Sequence, residues 1–194
     1  MRSLKMNFAN KISTFRILIV PFFVASVVYF SHDPKHNNYL RFIALGIFIL
    51  GVISDAVDGY IARKAKMQSQ AGLILDPLGD KLLLMSAYIC LYFIPLKIKF
   101  PLYVILIVIS RDVLILLGAV VIFIVKQKIN IHPTRWGKLT TTFQMLSVIV
   151  VFLQWEYSRV CWWLAVFFTV ISGVDYIMRG FKTLYALDSS RNQH

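Results

Sequence analysis

The sequence predicts an all-α integral membrane protein with six transmembrane helices and both termini in the cytoplasm. Three observations lead to this prediction: a mean hydropathy of +0.70, a hydrophobic fraction of 58% with only 15% charged residues, and a series of long apolar runs separated by polar turns. Soluble domains average about 45–50% apolar and about 25% charged residues. The composition also excludes a disordered chain, and its two cysteines exclude a small disulfide-built module.

Each apolar run approaches the length of about 20 residues that a helix needs to cross a hydrocarbon core. The predicted spans are residues 12–30, 40–60, 78–95, 101–125, 139–155 and 160–178. Arg16 interrupts the first run, which therefore does not read as a cleaved signal peptide. Because no repeat or linker divides the chain, we predict a single membrane domain over residues 1–194.

The distribution of basic residues predicts the orientation. Of the 21 Lys and Arg residues, fifteen fall in the N-terminus, the second and fourth loops and the tail, five fall on the other side, and Arg111 lies inside the fourth predicted span. Cytoplasmic loops carry such an excess, and the net charge of +12 then reflects loops that face anionic lipid rather than nucleic acid. Trp155, Trp162 and Trp163 flank the fifth loop, where interfacial anchors are expected.

Four of the nine acidic residues lie in one stretch, where the second predicted span ends and the third begins. Asp55 and Asp58 are three residues apart and Asp76 and Asp80 are four apart, so each pair shares one face of a helix. Pro77 suits the first turn of the third helix. We therefore expect two helix ends, each presenting two carboxylates, joined by a short cytoplasmic loop.

This concentration of negative charge needs compensation. Four unpaired carboxylates would cost on the order of 10 kcal/mol if fully inserted in a membrane. Arg63 and Lys81 could neutralise two of the four charges, whereas two divalent cations would balance them all, and all-oxygen ligation favours magnesium, manganese or calcium. The alternative is that the acids cap helices at a water boundary and pair with lysines. Their matched spacing on consecutive helices favours a site.

The stretch from Asp55 to Asp80 reads D-x2-D-G-x2-A-R-x8-G-x3-D-x3-D. It resembles the signature of the CDP-alcohol phosphotransferase family at all eight fixed positions and in every gap. The resemblance implies a six-helix enzyme that transfers a phosphatidyl or similar group from a CDP-linked donor, such as CDP-diacylglycerol, to an alcohol and releases CMP. It also implies a site at the cytoplasmic face of the cell (inner) membrane, among membrane lipids, and a homodimer.

The same resemblance implies roles for the four acids. Asp55, Asp58 and Asp76 would bind two metal ions per site, Mg²⁺ or Mn²⁺, and Asp80 would be the general base and also touch one ion. Metal ions suit a multiply charged pyrophosphate because they stabilise the departing phosphate and orient an in-line attack.

Three further residues are implied to bind the donor. Gly59 and Arg63 would contact the CDP part, since glycine leaves room for the nucleotide and arginine can grip a phosphate with two hydrogen bonds. Ser69 matches a position at which small hydroxyl residues contact the nucleotide in relatives.

Three other segments concern the acceptor alcohol. Residues 10–21, 109–112 and 137–144 are similar to motifs of the phosphatidylglycerophosphate synthases and cardiolipin synthases of this family. Asp112 follows Arg111 where the former group more often carries Glu, which leans toward the cardiolipin type. We prefer glycerol 3-phosphate as the acceptor, with phosphatidylglycerol or another polar alcohol as the alternative.

An acceptor of this kind is anionic and needs a basic pocket. Arg111 lies inside a predicted span and is by default a functional candidate; the alternative is an ion pair with Asp112 or one of the site acids. Lys138 and Arg135 could bind an acceptor phosphate, or be ordinary basic residues of a cytoplasmic loop. A different class of function, a divalent-cation transporter, would also place carboxylates in a membrane protein, but these acids cluster at one boundary beside a nucleotide-type Gly and Arg.

Overall fold

The computed structural model describes the backbone at residues 8–36, 38–65, 72–126 and 135–191. Its helices are α1 (Phe8–His32), α2 (Asn38–Ala65), α3 (Gly72–Phe93), α4 (Leu102–Lys126), α5 (Arg135–Phe152) and α6 (Ser158–Arg191). Over the described ranges the chain holds helices and turns only, so the predicted all-α class and its six helices are confirmed there.

The helices extend beyond the predicted apolar runs, most clearly in α3 and α6. Helix α3 begins at Gly72 rather than near Leu78, and α6 continues to Arg191. Hydropathy marks only the apolar part of a helix, so polar ends that continue the same hydrogen-bonded ladder are missed. Pro77 consequently lies in the second turn of α3, and its predicted position in the first turn is wrong.

The helices pack around an aromatic core. Helix α1 lies against α2 and α3, α5 lies against α6, and α4 contacts α3 and α6. The ring of Phe23 on α1 lies 6.2 Å from that of Phe48 on α2 and 6.0 Å from that of Phe152 on α5. Aromatic pairs at such separations contribute about 0.5–1.5 kcal/mol each beyond the burial of their area, so these rings tie the two halves of the chain together.

The α3–α4 and α5–α6 connections are joined by one side chain, that of Gln154. Its amide nitrogen donates to the carbonyl of Ile98 at 2.8 Å and to that of Val151 at 2.7 Å, and its oxygen accepts from the N–H of Ile98 at 2.9 Å. Gln154 has φ 57°, a left-handed conformation that non-glycine residues seldom adopt. We call Ile98, Val151 and Gln154 the Gln154 clasp. It lies near the C-terminal end of α3, remote from Asp76.

The three tryptophans near the α5–α6 connection differ in solvent exposure. Trp155 and Trp163 are 54% and 56% exposed, as interfacial anchors must be, whereas Trp162 is 6% exposed. Trp162 packs 5.9 Å from Phe100, whose ring stacks 4.5 Å from that of Tyr88. The anchor role predicted for Trp162 is therefore wrong, because its ring closes the core beneath the α3–α4 connection.

The outer surface of the bundle is strongly apolar. Large apolar side chains are exposed on every helix, among them Phe22, Leu50, Phe93, Leu117, Leu146 and Phe167. In the described part of the chain, Ser158–Gly180 is long and apolar enough to cross a membrane by length and composition. Four shorter apolar helical stretches are Ile17–His32, Asn38–Ser54, Lys81–Phe93 and Trp136–Phe152. Soluble monomers rarely expose such extensive apolar surface.

Candidate active site

The four predicted acids occupy two consecutive helices. Asp55 and Asp58 lie in the C-terminal half of α2, and Asp76 and Asp80 lie in the N-terminal half of α3. Their predicted helical placement is confirmed. The side chains of residues 55–65 and 72–80 lie outside the part that the structure describes, so the arrangement of the four carboxylates stays a prediction.

The predicted donor-binding residues flank the same connection. Gly59 and Arg63 lie in the last turns of α2, whereas Ser69 falls between α2 and α3, outside the described residues. Among the side chains that are described, no group of three or more His, Cys, Asp or Glu lies close enough together to hold a metal ion. The predicted metal centre thus depends on the acids of α2 and α3.

Helices α2 and α3 make a tight contact near these acids. A Cβ atom placed on Gly51 of α2 would overlap Cδ2 of Leu83 on α3, and Leu83 is 3% exposed. A residue larger than glycine at position 51 would therefore force the buried end of the Leu83 side chain to move.

A buried charged cluster begins at Lys81, the residue after Asp80. Its Nζ donates to Oδ1 of Asp112 on α4 at 2.8 Å, and Nη1 of Arg111 donates to the same oxygen at 2.8 Å. Nη2 of Arg111 donates to Oγ of Ser172 on α6 at 2.5 Å. We call Lys81, Arg111, Asp112 and Ser172 the charged cluster; it connects α3, α4 and α6.

The charged cluster is deeply buried, and some of its polar atoms lack hydrogen-bond partners. Asp112 is 0% exposed and Arg111 is 6% exposed, yet Oδ2 of Asp112 and Nε of Arg111 have no hydrogen-bond partner among the described residues. Within the cluster two cations share one carboxylate, leaving a net positive charge.

The cluster decides between the two interpretations of Arg111 only in part. The ion pair between Arg111 and Asp112, considered from the sequence as the alternative to acceptor binding, is present. Lys81, which could neutralise one of the site acids, pairs with Asp112. Sequence reasoning missed Ser172, because a lone serine in an apolar helix carries no signal until its partner across the bundle is known.

The remaining basic candidates lie at the start of α5. Arg135 is the first residue of this helix, with its side chain outside the described part, and Lys138 is exposed one turn later. Further along α5, Nε2 of Gln144 donates to Thr169 of α6 at 3.0 Å, and the Thr140 hydroxyl donates to the carbonyl of Phe168 at 2.8 Å. These bonds hold α5 to α6. The motif at residues 137–144 therefore contributes to helix packing and also contains Lys138.

The family comparison agrees with this placement of acids on a six-helix chain. Residues 6–171 match the CDP-alcohol phosphatidyltransferase family, and the chain belongs to that family. The matched range covers the acidic stretch of α2 and α3 and every member of the charged cluster except Ser172. It confirms the family that the Asp55–Asp80 pattern indicated.

Three curated relatives cover nearly the whole chain. The sequence is 29% identical over 188 residues to the CDP-diacylglycerol–glycerol-3-phosphate 3-phosphatidyltransferase of Aquifex aeolicus, covering 93% of this chain and 99% of the relative. It is 28% identical to the protein of the same name from Bacillus subtilis, covering 92% and 97%. It is 29% identical to a probable phosphatidylglycerophosphate synthase of Mycobacterium tuberculosis, covering 92% and 83%.

Proposed function

We propose that the protein transfers the phosphatidyl group of CDP-diacylglycerol to glycerol 3-phosphate, giving phosphatidylglycerophosphate and CMP. The observation that carries this proposal is the complete D-x2-D-G-x2-A-R-x8-G-x3-D-x3-D pattern at the end of α2 and the start of α3. Relatives named for this reaction match over about nine-tenths of the chain, which favours glycerol 3-phosphate over the alternative acceptor phosphatidylglycerol.

The enzyme is proposed to span the inner membrane six times, with both termini and the active site on the cytoplasmic side. Exposed apolar side chains on all six helices support contact with lipid, and the bias of fifteen basic residues to five supports the orientation. Assembly as a homodimer rests on the family resemblance alone.

The residues of the acidic stretch fit a divalent metal centre by the chemistry of their donors. Asp55, Asp58, Asp76 and Asp80 supply only carboxylate oxygens, which hard cations such as Mg²⁺ prefer. They are proposed to hold two Mg²⁺ ions, with Mn²⁺ as a substitute. When bound, such ions offset the negative charge of the pyrophosphate and of the departing CMP.

The other residues of the stretch are proposed to orient the donor and to accept the proton. Arg63 binds a phosphate of the CDP group, Gly59 admits the nucleotide close to the backbone, and Ser69 contacts it. The acceptor hydroxyl oxygen bonds to the phosphorus that carries the diacylglycerol as the bond from that phosphorus to the CMP oxygen breaks. Asp80 takes the hydroxyl proton during this step, because a metal-bound Asp is too weak a base to remove it beforehand.

Basic residues on two helices are proposed to bind the phosphate of glycerol 3-phosphate. Lys138 is exposed in the first turns of α5, and Arg135 begins that helix. Nη1 and Nη2 of Arg111 donate to Asp112 and Ser172, and its Nε has no hydrogen-bond partner within the described part of the chain. Because a guanidinium carries five N–H donors, Arg111 can still offer the acceptor hydrogen bonds as well as its charge.

The first experiment measures CMP release by the purified protein in detergent with CDP-diacylglycerol and Mg²⁺. Glycerol 3-phosphate and phosphatidylglycerol are supplied in separate reactions. We expect release with glycerol 3-phosphate only; release with phosphatidylglycerol only would move the protein to the cardiolipin branch. Metal flux into vesicles without CMP formation from any CDP-lipid would instead support a transporter.

A substitution at the general base sharpens the assignment. Asp80→Asn should lower turnover by at least about three orders of magnitude, within the range lost when a general base and metal ligand is removed. The thermal unfolding midpoint without metal should stay near that of the parent. Full activity in this variant would remove Asp80 from the proposed mechanism.

A further inference from the structure

Two glycines of α2 have different surroundings. At Gly51 an added Cβ would overlap the Leu83 side chain of α3, whereas at Gly46, five residues earlier in the same helix, nothing lies within 4 Å of the added atom. Leu83 belongs to the buried core and is 3% exposed. A methyl group at position 51 must therefore displace a packed side chain or move α3 away from α2.

The helical register links this contact to the acids. Asp55 and Asp58 follow Gly51 by four and seven residues, and these spacings keep all three positions on one face of α2. Asp80 and Asp76 precede Leu83 by three and seven residues, which keeps them on the face of α3 that carries Leu83. The Gly51–Leu83 contact thus lies on both acidic faces, one turn from the nearest acid of each helix.

We propose that Gly51 is a positioning residue for the four-carboxylate site: by leaving room for the Leu83 side chain, it lets α3 pack against α2 at the level of Asp55 and Asp80. The inference rests on the proposed function, because it concerns the same site. Binding constellations must be held within about 0.5 Å of the productive geometry. A hydrophobic core can absorb a small shift of one helix at modest cost. The same shift is therefore enough to weaken a metal site whose ligands come from both helices.

The test compares Gly51→Ala with Gly46→Ala, which makes the same chemical change in the same helix at an open position. Both variants are purified in detergent. Two quantities are measured for each: the rise in thermal unfolding midpoint on adding Mg²⁺ with no substrate present, and the Mg²⁺ concentration for half-maximal CMP release. For Gly51→Ala we expect the Mg²⁺-induced rise to be at least halved and the half-maximal concentration to increase about fivefold or more. Gly46→Ala should match the parent in both.

A second substitution distinguishes positioning from general destabilisation. Leu83→Ala shortens the side chain that the new methyl would meet, so Gly51→Ala in the Leu83→Ala background should respond to Mg²⁺ within about twofold of Leu83→Ala alone. Should Gly51→Ala fail to fold, Leu83→Phe enlarges the same contact from α3 and should weaken the Mg²⁺ response in the same direction.

Three results would overturn the inference: a normal Mg²⁺ response in Gly51→Ala, an equal loss in Gly46→Ala, or no recovery in the double variant. Failure of the proposed function is seen separately. It would appear as a parent protein that is stabilised by Mg²⁺ but releases no CMP from CDP-diacylglycerol with glycerol 3-phosphate, in which case the stability measurement still tests Gly51.

Discussion

The charged cluster and the Gln154 clasp both join segments distant in the sequence, but they use different chemistry. In the cluster, one carboxylate oxygen of Asp112 accepts from both Lys81 and Arg111 while the other has no partner in the described part of the chain. In the clasp, the uncharged amide of Gln154 makes three hydrogen bonds, all of 2.9 Å or less, to backbone groups. The clasp is the better satisfied of the two.

This difference indicates what each region contributes. Burying charges costs several kcal/mol per ion, and such pairs are often no more stable than apolar residues of the same size. A neutral side chain that satisfies backbone groups stabilises a loop at far lower cost. The clasp therefore has a structural role, whereas the buried ionic cluster begins one residue after Asp80, and we expect its charges to serve the proposed site.

The largest expected effect comes from removing the cluster's single negative charge. Asp112→Asn leaves Lys81 and Arg111 buried without a counter-ion inside the cluster, and breaking a buried pair in this way costs about 3–5 kcal/mol. We expect a loss of this size in the free energy of unfolding in mixed micelles. We also expect a higher KM for glycerol 3-phosphate, because Arg111 loses the partner that fixes its guanidinium.

Asp112→Glu is the matched control, since it keeps the charge and changes only its reach. It should recover most of the stability that Asp112→Asn loses. If Asp112→Asn were as stable as the parent and unchanged in KM, the charged cluster would contribute only packing. The proposed difference in role between the cluster and the Gln154 clasp would then be lost.

A smaller effect, confined to stability, is expected at the other end of the bundle. Gln154→Ala removes the side-chain hydrogen bonds to Ile98 and Val151, and leaving the backbone groups of Ile98 unpaired costs about 1–3 kcal/mol. The kcat and the KM values for both substrates should stay within about twofold of the parent, since the clasp is remote from the acidic stretch.

Gln154→Gly separates the lost hydrogen bonds from the backbone conformation. Glycine adopts the left-handed φ of 57° without the steric cost that alanine meets, so Gln154→Gly should be more stable than Gln154→Ala. The opposite order would mean that the turn relaxes to another conformation once the side chain is gone.

The class of fold and the acidic stretch could be predicted from the sequence because both depend on residues that are close together in the chain. Apolar runs indicate helices wherever they occur, and the spacing from Asp55 to Asp80 is read along a single stretch of chain. The same local logic failed at Pro77, since hydropathy could not reveal that α3 begins at Gly72.

Contacts between distant residues could not be read in this way. The bond between Lys81 and Asp112 joins residues 31 positions apart, and that between Arg111 and Ser172 joins residues 61 apart. Trp162 looks like its neighbour Trp163 in the sequence, yet only the packing against Phe100 shows that it is buried. Such features depend on which helices are neighbours, which the pattern of a single sequence does not specify.

The smallest expected effect tests whether burial, rather than the type of substitution, sets the cost at Asp112. Asp175 on α6 accepts a hydrogen bond at 2.9 Å from Nε of Arg179, one turn later, and the Arg179 side chain is 63% exposed. A spacing of four residues on a helix favours such a pair. The Asp175 side chain is 19% exposed, against 0% for Asp112, and pairs open to solvent contribute about 0.2–1 kcal/mol, less as salt is raised.

Asp175→Asn makes the same change as Asp112→Asn, in a helix that the charged cluster also uses. We expect it to lower the free energy of unfolding by no more than about 1 kcal/mol, with the difference from the parent shrinking between low and high salt. A loss as large as that of Asp112→Asn would show that any Asp-to-Asn change in this bundle is equally costly. The loss of stability in Asp112→Asn would then not reflect the burial of the charged cluster. The proposed link between this cluster and the active site would depend on the KM for glycerol 3-phosphate alone.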